Sequence, residues 1–366
     1  MRVAGPAEHG WRASHGDRAV SGRLTIALDA MGGDHAPRMV LRGADLARKR
    51  HPDVDFLIFG RESEVGPRLD KMKRLKQVTT LVHCDDVVSD SEKPSAALRG
   101  SRDASMRRAV EAVRDGRAGA CVSAGNTGAL MAMSKLVLKM LPGIERPAIA
   151  SFFPTLRGES VMLDLGANVQ CSAQNLVDFA VMGNVFCRTV LGTVEPATGL
   201  INVGSEELKG HETLWAARDQ LNELDLPGRF YGFIEGDDMA KGTVDVIVTD
   251  GFTGNVALKA SEGTAKLVSV YLQRTFKSSV FAQIGYLFAR RAMQKLRQRT
   301  DPRRYNGAIF LGLNGITVKS HGGTDAVGFA NAIDVAVDMV REDFLERIRS
   351  DLASIDRSVP AAQAAG

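Results

Sequence analysis

Residues Ile26–Pro37 read IALDAMGGDHAP, an apolar run closing on Asp29 and followed by a glycine pair, Asp34, His35 and a proline. Four further segments share that plan: VSAGNTGA (Val122–Ala129), LDLGANV (Leu163–Val169), INVGSEELKG (Ile201–Gly210) and VTDGFTGNVALK (Val248–Lys259). Each carries an apolar run into a turn of Gly, Asn, Ser or Thr. Small residues let backbone N–H groups close on an anion, and a following helix adds the positive end of its dipole. A single such turn says little, because strand-to-helix turns often use glycine for backbone reasons. Five of them in one sheet suggest a cleft for phosphate or carboxylate groups.

Other chemistries lack their residues. There is no G-x-G-x-x-G after an apolar run and no G-x-x-x-x-G-K-[ST], so dinucleotide and P-loop sites are disfavoured. G-x-S-x-G and H-E-x-x-H are also missing, against a serine hydrolase or a zincin. What remains is transfer chemistry on an anionic substrate without a nucleotide cofactor or a metal.

The positions that would hold such a cleft follow a strand–helix rhythm. Leu24–Leu28, VDFLIFG (Val54–Gly60), VTTLVHC (Val78–Cys84), GACVSAG (Gly119–Gly125), AIASFFP, ESVMLDLGAN, GLINVGS and VDVIVTDGFTGN are expected strands with their following turns. Between them lie helical patterns from Pro37, across Pro94–Ala118 with a break near Gly100, from Asn175 to Leu191, through ETLWAARDQLNEL and from Val256. Alternation of this kind predicts an α/β fold with a mainly parallel sheet covered on both faces, and ligands beyond the carboxyl ends of its strands.

Composition bounds the rest. The chain has 366 residues, 44% hydrophobic and 25% charged, with a net charge of +4, enough for one large α/β domain. That charge welcomes an anionic substrate but is too mild for nucleic acid, and no aromatic platform is interleaved with basic runs. Four scattered cysteines without a CxxC pair suit a reduced, cytoplasmic setting. Residues 1–22 read as a disordered leader, 23–352 as a single domain and 353–366 as a loose tail. No apolar run is long enough to cross a membrane. Residues 277–306 break the rhythm with a basic helical excursion. Its Phe281, Ile284, Leu287, Phe288 and Met293 have helical spacing, followed by Arg290, Arg291, Lys295, Arg297 and Arg299. Such a helix suits an anionic bilayer, an acidic carrier protein or packing in a dimer.

Taken together, IALDAMGGDHAP, SAGNTGALMA, LDLGAN, DGFTGNVALK and FLGLNGITVKSHGGTDAVGFANAI resemble the bacterial phosphate acyltransferases of the PlsX type, over about residues 23–350. The resemblance implies a three-layer α/β/α sandwich like that of the isocitrate/isopropylmalate dehydrogenase and phosphotransacetylase group, and a homodimer. It implies conversion of acyl-acyl-carrier protein and inorganic phosphate to acyl phosphate, feeding phospholipid synthesis. A coenzyme A-dependent phosphotransacetylase, a decarboxylating dehydrogenase and a non-catalytic scaffold recruited to the membrane are the rival expectations.

Within that frame Gly32, Gly33, Gly125, Asn126, Thr127, Gly128 and Asn168 are the expected phosphate and substrate contacts, with a capped turn as the alternative for Asn126 and Thr127. Lys209 and Lys259 match family motifs and could pair with phosphate as point charges; Lys319 and His321 end another strand. Asp250 and Asn255 are expected to orient substrate or donate to the oxyanion, and His35 to join them or merely enter a helix. Asp29 and Asp34 read as turn and N-cap residues, and Cys121 as a buried small hydrophobe. Asp237 in EGDDMAKG, and Gly100 with Ser101, stand where the family pattern has an arginine and a lysine-rich run; carrier-protein contacts there are in question.

Overall fold

The computed structural model describes residues 23–206, 208–299 and 301–354. The leader and the end of the tail lie outside the described residues. In chain order the elements are β1 (Leu24–Asp29), α1 (Arg38–Arg50), β2 (Val54–Gly60), α2 (Glu62–Leu69), α3 (Lys73–Lys76), β3 (Thr79–His83), α4 (Pro94–Gly100) and α5 (Ser105–Arg114). Next come β4 (Ala120–Ser123), α6 (Thr127–Leu138), β5 (Ala148–Thr155), β6 (Gly158–Leu163), α7 (Ala173–Leu191), β7 (Ala197–Ile201), α8 (Glu212–Glu223) and β8 (Arg229–Ile234). The chain continues through α9 (Gly236–Lys241), β9 (Val246–Val248), α10 (Gly251–Lys277), α11 (Val280–Arg299), β10 (Ala308–Leu311), β11 (Ile316–Lys319), α12 (Ala326–Arg341) and α13 (Phe344–Ser354).

One sheet of eleven strands runs β3-β2-β1-β4-β11-β10-β5-β6-β9-β7-β8. It is mostly parallel; only the β11–β10, β10–β5 and β5–β6 pairings are antiparallel. Side chains of alternate positions feed two apolar layers. Ile26, Leu28, Val122 and Val318 pack on one face with residues of α1, α7 and α12. Ala27, Cys121 and Ile247 pack on the other with residues of α5 and α6. The fully buried β4, ACVS, is the near-continuous small and apolar run that a strand covered on both faces requires. This is the expected α/β/α layering.

The helices start where the sequence provides caps. Asn126 accepts from the Ala129 N–H to open α6, Ser172 and Asn175 form a reciprocal capping box at α7, and Asp250 accepts from the Thr253 N–H at α10. The break expected near Gly100 separates α4 from α5. Edge strand β8, RFYGFI, is half-exposed and has no apolar run to betray it.

Two expectations need correction. The excursion does not begin at residue 277. Helix α10 ends there, at Lys277, but every residue from Ala260 to Ser269 is already exposed, and α10 packs on α11 as a helical hairpin. Nor do the five glycine-rich turns share one edge of the sheet. The three antiparallel pairings reverse the strand direction between β11 and β6. The turns after β1, β4 and β11 therefore leave one edge, and those after β6, β9 and β7 leave the other.

Candidate functional site

At the first edge the turns after β1, β4 and β11 touch. Gly32 lies so close to Gly125 that a Cβ would stand 2.6 Å from the Gly125 nitrogen. Gly33 has φ +99°, in the left-handed region that favours glycine. The neighbouring Asp34 N–H donates to the Gly322 carbonyl at 3.0 Å. Asp29 underpins this cradle. It is no exposed turn residue but a buried carboxylate, 1% exposed, accepting from Ser105 Oγ and Ser123 Oγ at 2.6 Å each and from the Met31 N–H. Burial raises its pKa, against those hydrogen bonds. Ser123 Oγ also accepts from the Gly125 N–H at 3.1 Å, which ties the β4 turn to the same carboxylate.

Lys319 closes the cradle. Its Nζ donates to the carbonyls of Ala124 and Ser320. Burial lowers its pKa to about 8, while the nearby charges of Asp90, Asp29 and Asp34 act in the opposite direction. His321 and His35 are exposed at the rim, with His321 Nδ1 accepting from the Gly323 N–H. Asn126 is occupied. Besides capping α6, its Nδ2 donates to the carbonyls of Ser89, Asp90 and Glu92 at 3.3, 2.8 and 3.0 Å. Its side chain clasps a loop, and Thr127 beside it is exposed.

The second edge repeats the plan. Asp164, fully buried at the end of β6, accepts from the N–H groups of Ile149, Ala167 and Asn168 and from Asn168 Nδ2. Burial again raises the carboxyl pKa. Asn168 Nδ2 also reaches the Pro147 carbonyl at 2.8 Å, so this amide shapes the turn. The Gly251 N–H donates to the Asn168 carbonyl at 2.7 Å, locking the β9 turn onto the β6 turn. Asp250 spends its carboxylate on the Thr253 N–H and Oγ1. In the β7 turn the Lys209 carbonyl accepts from Asn202 Nδ2 and Trp215 Nε1.

Asn255, Lys209 and Lys259 stand uncommitted among these anchored turns. Among the described residues, no hydrogen-bond or ion-pair partner is found for the Asn255 amide, the Lys209 ammonium or the Lys259 ammonium. Asn255 is half-buried beside Gly166, where an added Cβ would meet it at 3.6 Å; both lysines are exposed. A half-buried amide donor and exposed cations beside rigid turns can hold an anion and steady a developing oxyanion. Cys171, nearby, has its pKa raised to about 11 by burial and is a poor nucleophile at neutral pH.

The sequence reading thus named the turns at both edges. It missed Asp164, Ser105 and Ser123, which hold them. The signal for Asp164 was the repeated Leu-Asp closing two strands, LDAMGG and LDLGAN. Ser105 had none, being brought in from α5 by the fold.

The fold is that of phosphotransacetylases. A phosphotransacetylase from Streptococcus pyogenes superposes with a TM-score of 0.59 at 17% identity, covering 87% of this chain and 94% of that one. EutD phosphotransacetylase from Staphylococcus aureus gives 0.56 at 15% identity, over 87% and 94%. Sequence similarity goes further. Residues 24–347 match the family model described as fatty acid synthesis protein. The phosphate acyltransferase of Rhodospirillum centenum is 64% identical over 343 residues, 94% of this chain and 97% of that protein. That of Rhodospirillum rubrum is 58% identical over 336 residues, 92% and 96%. The chain belongs to this family, the phosphate acyltransferases, and is an enzyme.

Proposed function

We propose that the chain makes acyl phosphate from acyl-acyl-carrier protein and inorganic phosphate, and supplies a glycerol-3-phosphate acyltransferase at the membrane. The observation that carries this reading is the uncommitted Asn255 amide and Lys209 ammonium beside turns held in place by Asp164, Asn202 and Asp250.

Inorganic phosphate is already an anionic oxygen nucleophile, so no acyl-enzyme is needed. A phosphate oxygen attacks the thioester carbonyl carbon and forms the new C–O bond. The carbonyl oxygen takes up negative charge, which Asn255 and backbone amides stabilise. Collapse breaks the C–S bond, and the thiolate leaves with the electron pair and takes a proton from solvent. With a pKa of about 8.5 a thiol needs little acid help to leave. Lys209, and Lys319 in its glycine cradle, serve as cations for phosphate. Holding both reactants in line can supply most of the acceleration.

The remaining parts of the reading concern place and partners. The enzyme works in the cytoplasm as a homodimer, with reversible contact between α11 and an anionic membrane face. Phe281 and Phe288, each 87% exposed, and Leu287 offer an apolar surface beside the exposed Arg290 and Arg291. No helix among the described residues is long and apolar enough to cross a membrane. Binding to phosphatidylglycerol vesicles that weakens with salt is expected; failure to bind at any salt would remove this part. The reaction itself is tested by offering palmitoyl-carrier protein and palmitoyl-coenzyme A in parallel with phosphate. Acyl phosphate from the carrier-protein substrate is expected, and turnover only with coenzyme A would refute the assignment.

A further inference from the structure

We infer that Asn306 is a positioning residue for the phosphate cation Lys319: it fixes the two peptide units that follow this lysine and so aims the ammonium into the glycine cradle. The inference rests on the acyl phosphate reading above, in which Lys319 holds phosphate. It concerns a residue that acts through Lys319 and the turn behind it.

Asn306 ends the segment that returns from α11 to the sheet. The antiparallel register that sets Ala308 opposite Lys319 and Ile309 opposite Val318 carries Asn306 opposite His321. There its amide is fully used. Nδ2 donates to Ser320 Oγ at 2.8 Å and to the Gly328 carbonyl at 2.7 Å, and Oδ1 accepts from the His321 N–H at 2.9 Å. One half-buried side chain thus ties the turn after β11 to the first turn of α12. The segment is also held from outside. Arg303 pairs with Asp301 and with Asp325, the N-cap of α12, and Asn331 Nδ2 donates to the Arg303 carbonyl at 2.7 Å.

The tie matters because Lys319 is aimed by the peptide that follows it. An ammonium has three N–H groups. Among the described residues the Ala124 and Ser320 carbonyls take two of them, and the third is left for an anion. The Ser320 carbonyl holds the ammonium only while its peptide keeps its orientation. Ser320 is fully buried; its N–H donates to the Ser123 carbonyl at 2.9 Å, and its hydroxyl accepts from Asn306. An aspartate at 306 would have no donor for the Gly328 carbonyl, and an apolar residue would leave three groups unpaired, each at the cost of its desolvation. The charged groups facing Lys319 are Asp29 and Asp34 from β1 and its turn, and Asp90 from the 89–92 loop. His321 on its own turn and His35 at the rim are the titratable neighbours. The carboxylates raise the Lys319 pKa, but burial prevails and lowers it to about 8. A turn released from Asn306 admits water to the ammonium, and the pKa then climbs towards the ordinary lysine value.

The test compares Asn306→Ala with Arg303→Ala in the full-length chain. The phosphate KM comes from initial rates, and phosphate affinity across pH 7–10 from equilibrium dialysis with ³²P-labelled inorganic phosphate; thermal unfolding is followed beside them. Asn306→Ala should raise the phosphate KM about 10-fold or more and move the high-pH loss of affinity upwards by about one pH unit, with the KM for acyl-carrier protein unchanged. Arg303→Ala loosens the same segment from outside. It should lower the unfolding temperature and leave both phosphate measurements at the parent's values. An Asn306→Ala protein altered in stability alone would overturn the inference. So would an Arg303→Ala protein that reproduces both shifts, or a parent that binds no phosphate in dialysis. Should Asn306→Ala fail to fold, by its circular dichroism, Ser320→Ala cuts the same tie from its other end and must shift both measurements in the same direction, or the inference falls. A parent that binds phosphate but makes no acyl phosphate would instead defeat the acyl phosphate reading, and dialysis would still decide the role of Asn306.

Discussion

Asn126 caps α6 and Asn255 lies near the start of α10, and the structure predicts opposite consequences of removing them. Asn255 makes no hydrogen bond among the described residues, and its nearest backbone neighbour of note is Gly166, with a built Cβ 3.6 Å away. Asn255→Ala therefore leaves no orphaned partner, and stability should stay within about 0.5 kcal/mol of the parent. If its amide steadies the oxyanion, kcat falls about 10²–10³-fold, equivalent to about 3–4 kcal/mol of barrier. Asn126 is the converse. Asn126→Ala removes an N-cap at 3.0 Å and three bonds to carbonyls of the 89–92 loop. The cap is worth about 1 kcal/mol. The loop is largely exposed, so water recovers part of the rest, and each lost bond costs about 0.5 kcal/mol. The sum is about 2–3 kcal/mol of stability. Thermal unfolding by circular dichroism and initial rates of thiol release at saturating substrate read the two quantities separately. The reasoning is refuted if Asn255→Ala loses stability in proportion to its activity, or if Asn126→Ala cuts kcat with its unfolding temperature unchanged.

Further outcomes follow from titration and packing. Asp338 on α12, among His51, Asp334, Arg341 and Glu342, has its carboxyl raised to about 6 by burial. With a folded pKa above the unfolded 3.8, its stabilising contribution is present at low pH and lost as pH rises through 6, a cost of about 3 kcal/mol by pH 8. Asp338→Asn should therefore gain thermal stability over the parent from pH 5 to pH 8; an equal gap at both values would contradict this. Lys319, with its pKa near 8, keeps its charge below that value and loses it above, so the affinity for phosphate should fall through pH 8–9. Lys319→Arg should move that limb to higher pH, and a limb that does not move would exclude Lys319 as its source. At Gly254 an added Cβ would stand 1.9 Å from the Asp164 carbonyl oxygen. Gly254→Ala must displace the start of α10 from the β6 turn and should destabilise by about 2–3 kcal/mol, measured by thermal unfolding; an unchanged unfolding temperature would rule out that close packing.

The legible parts of the fold were those written in local pattern. VDFLIFG and ACVS read as strands because their apolar runs are unbroken, and a capped turn was legible at Asn126 because its side chain can accept from the following backbone. What could not be read was strand order. The short connection in AIASFFPTLRGESVML admits only an antiparallel β5–β6 hairpin, but nothing local says that β10 and β11 insert between β4 and β5, and the three antiparallel pairings together separate the glycine-rich turns into two sets. The same limit hid commitment. Asn126 and Asn255 look alike in SAGNTG and FTGN, yet one is consumed by a loop 34 to 37 residues earlier in the chain, and the other is not. Asp29 reads as a turn former and Asp164 drew no reading at all; only tertiary burial makes them the carboxylates around which each edge is organised.

The most direct test of the account is a single-turnover time course with enzyme in excess over palmitoyl-carrier protein, with and without ¹⁸O-labelled phosphate. Direct attack predicts that thiol and labelled acyl phosphate appear together and in equal amounts, with no thiol released when phosphate is omitted. A burst of thiol without phosphate, leaving the acyl group on the protein, would contradict the account at its centre.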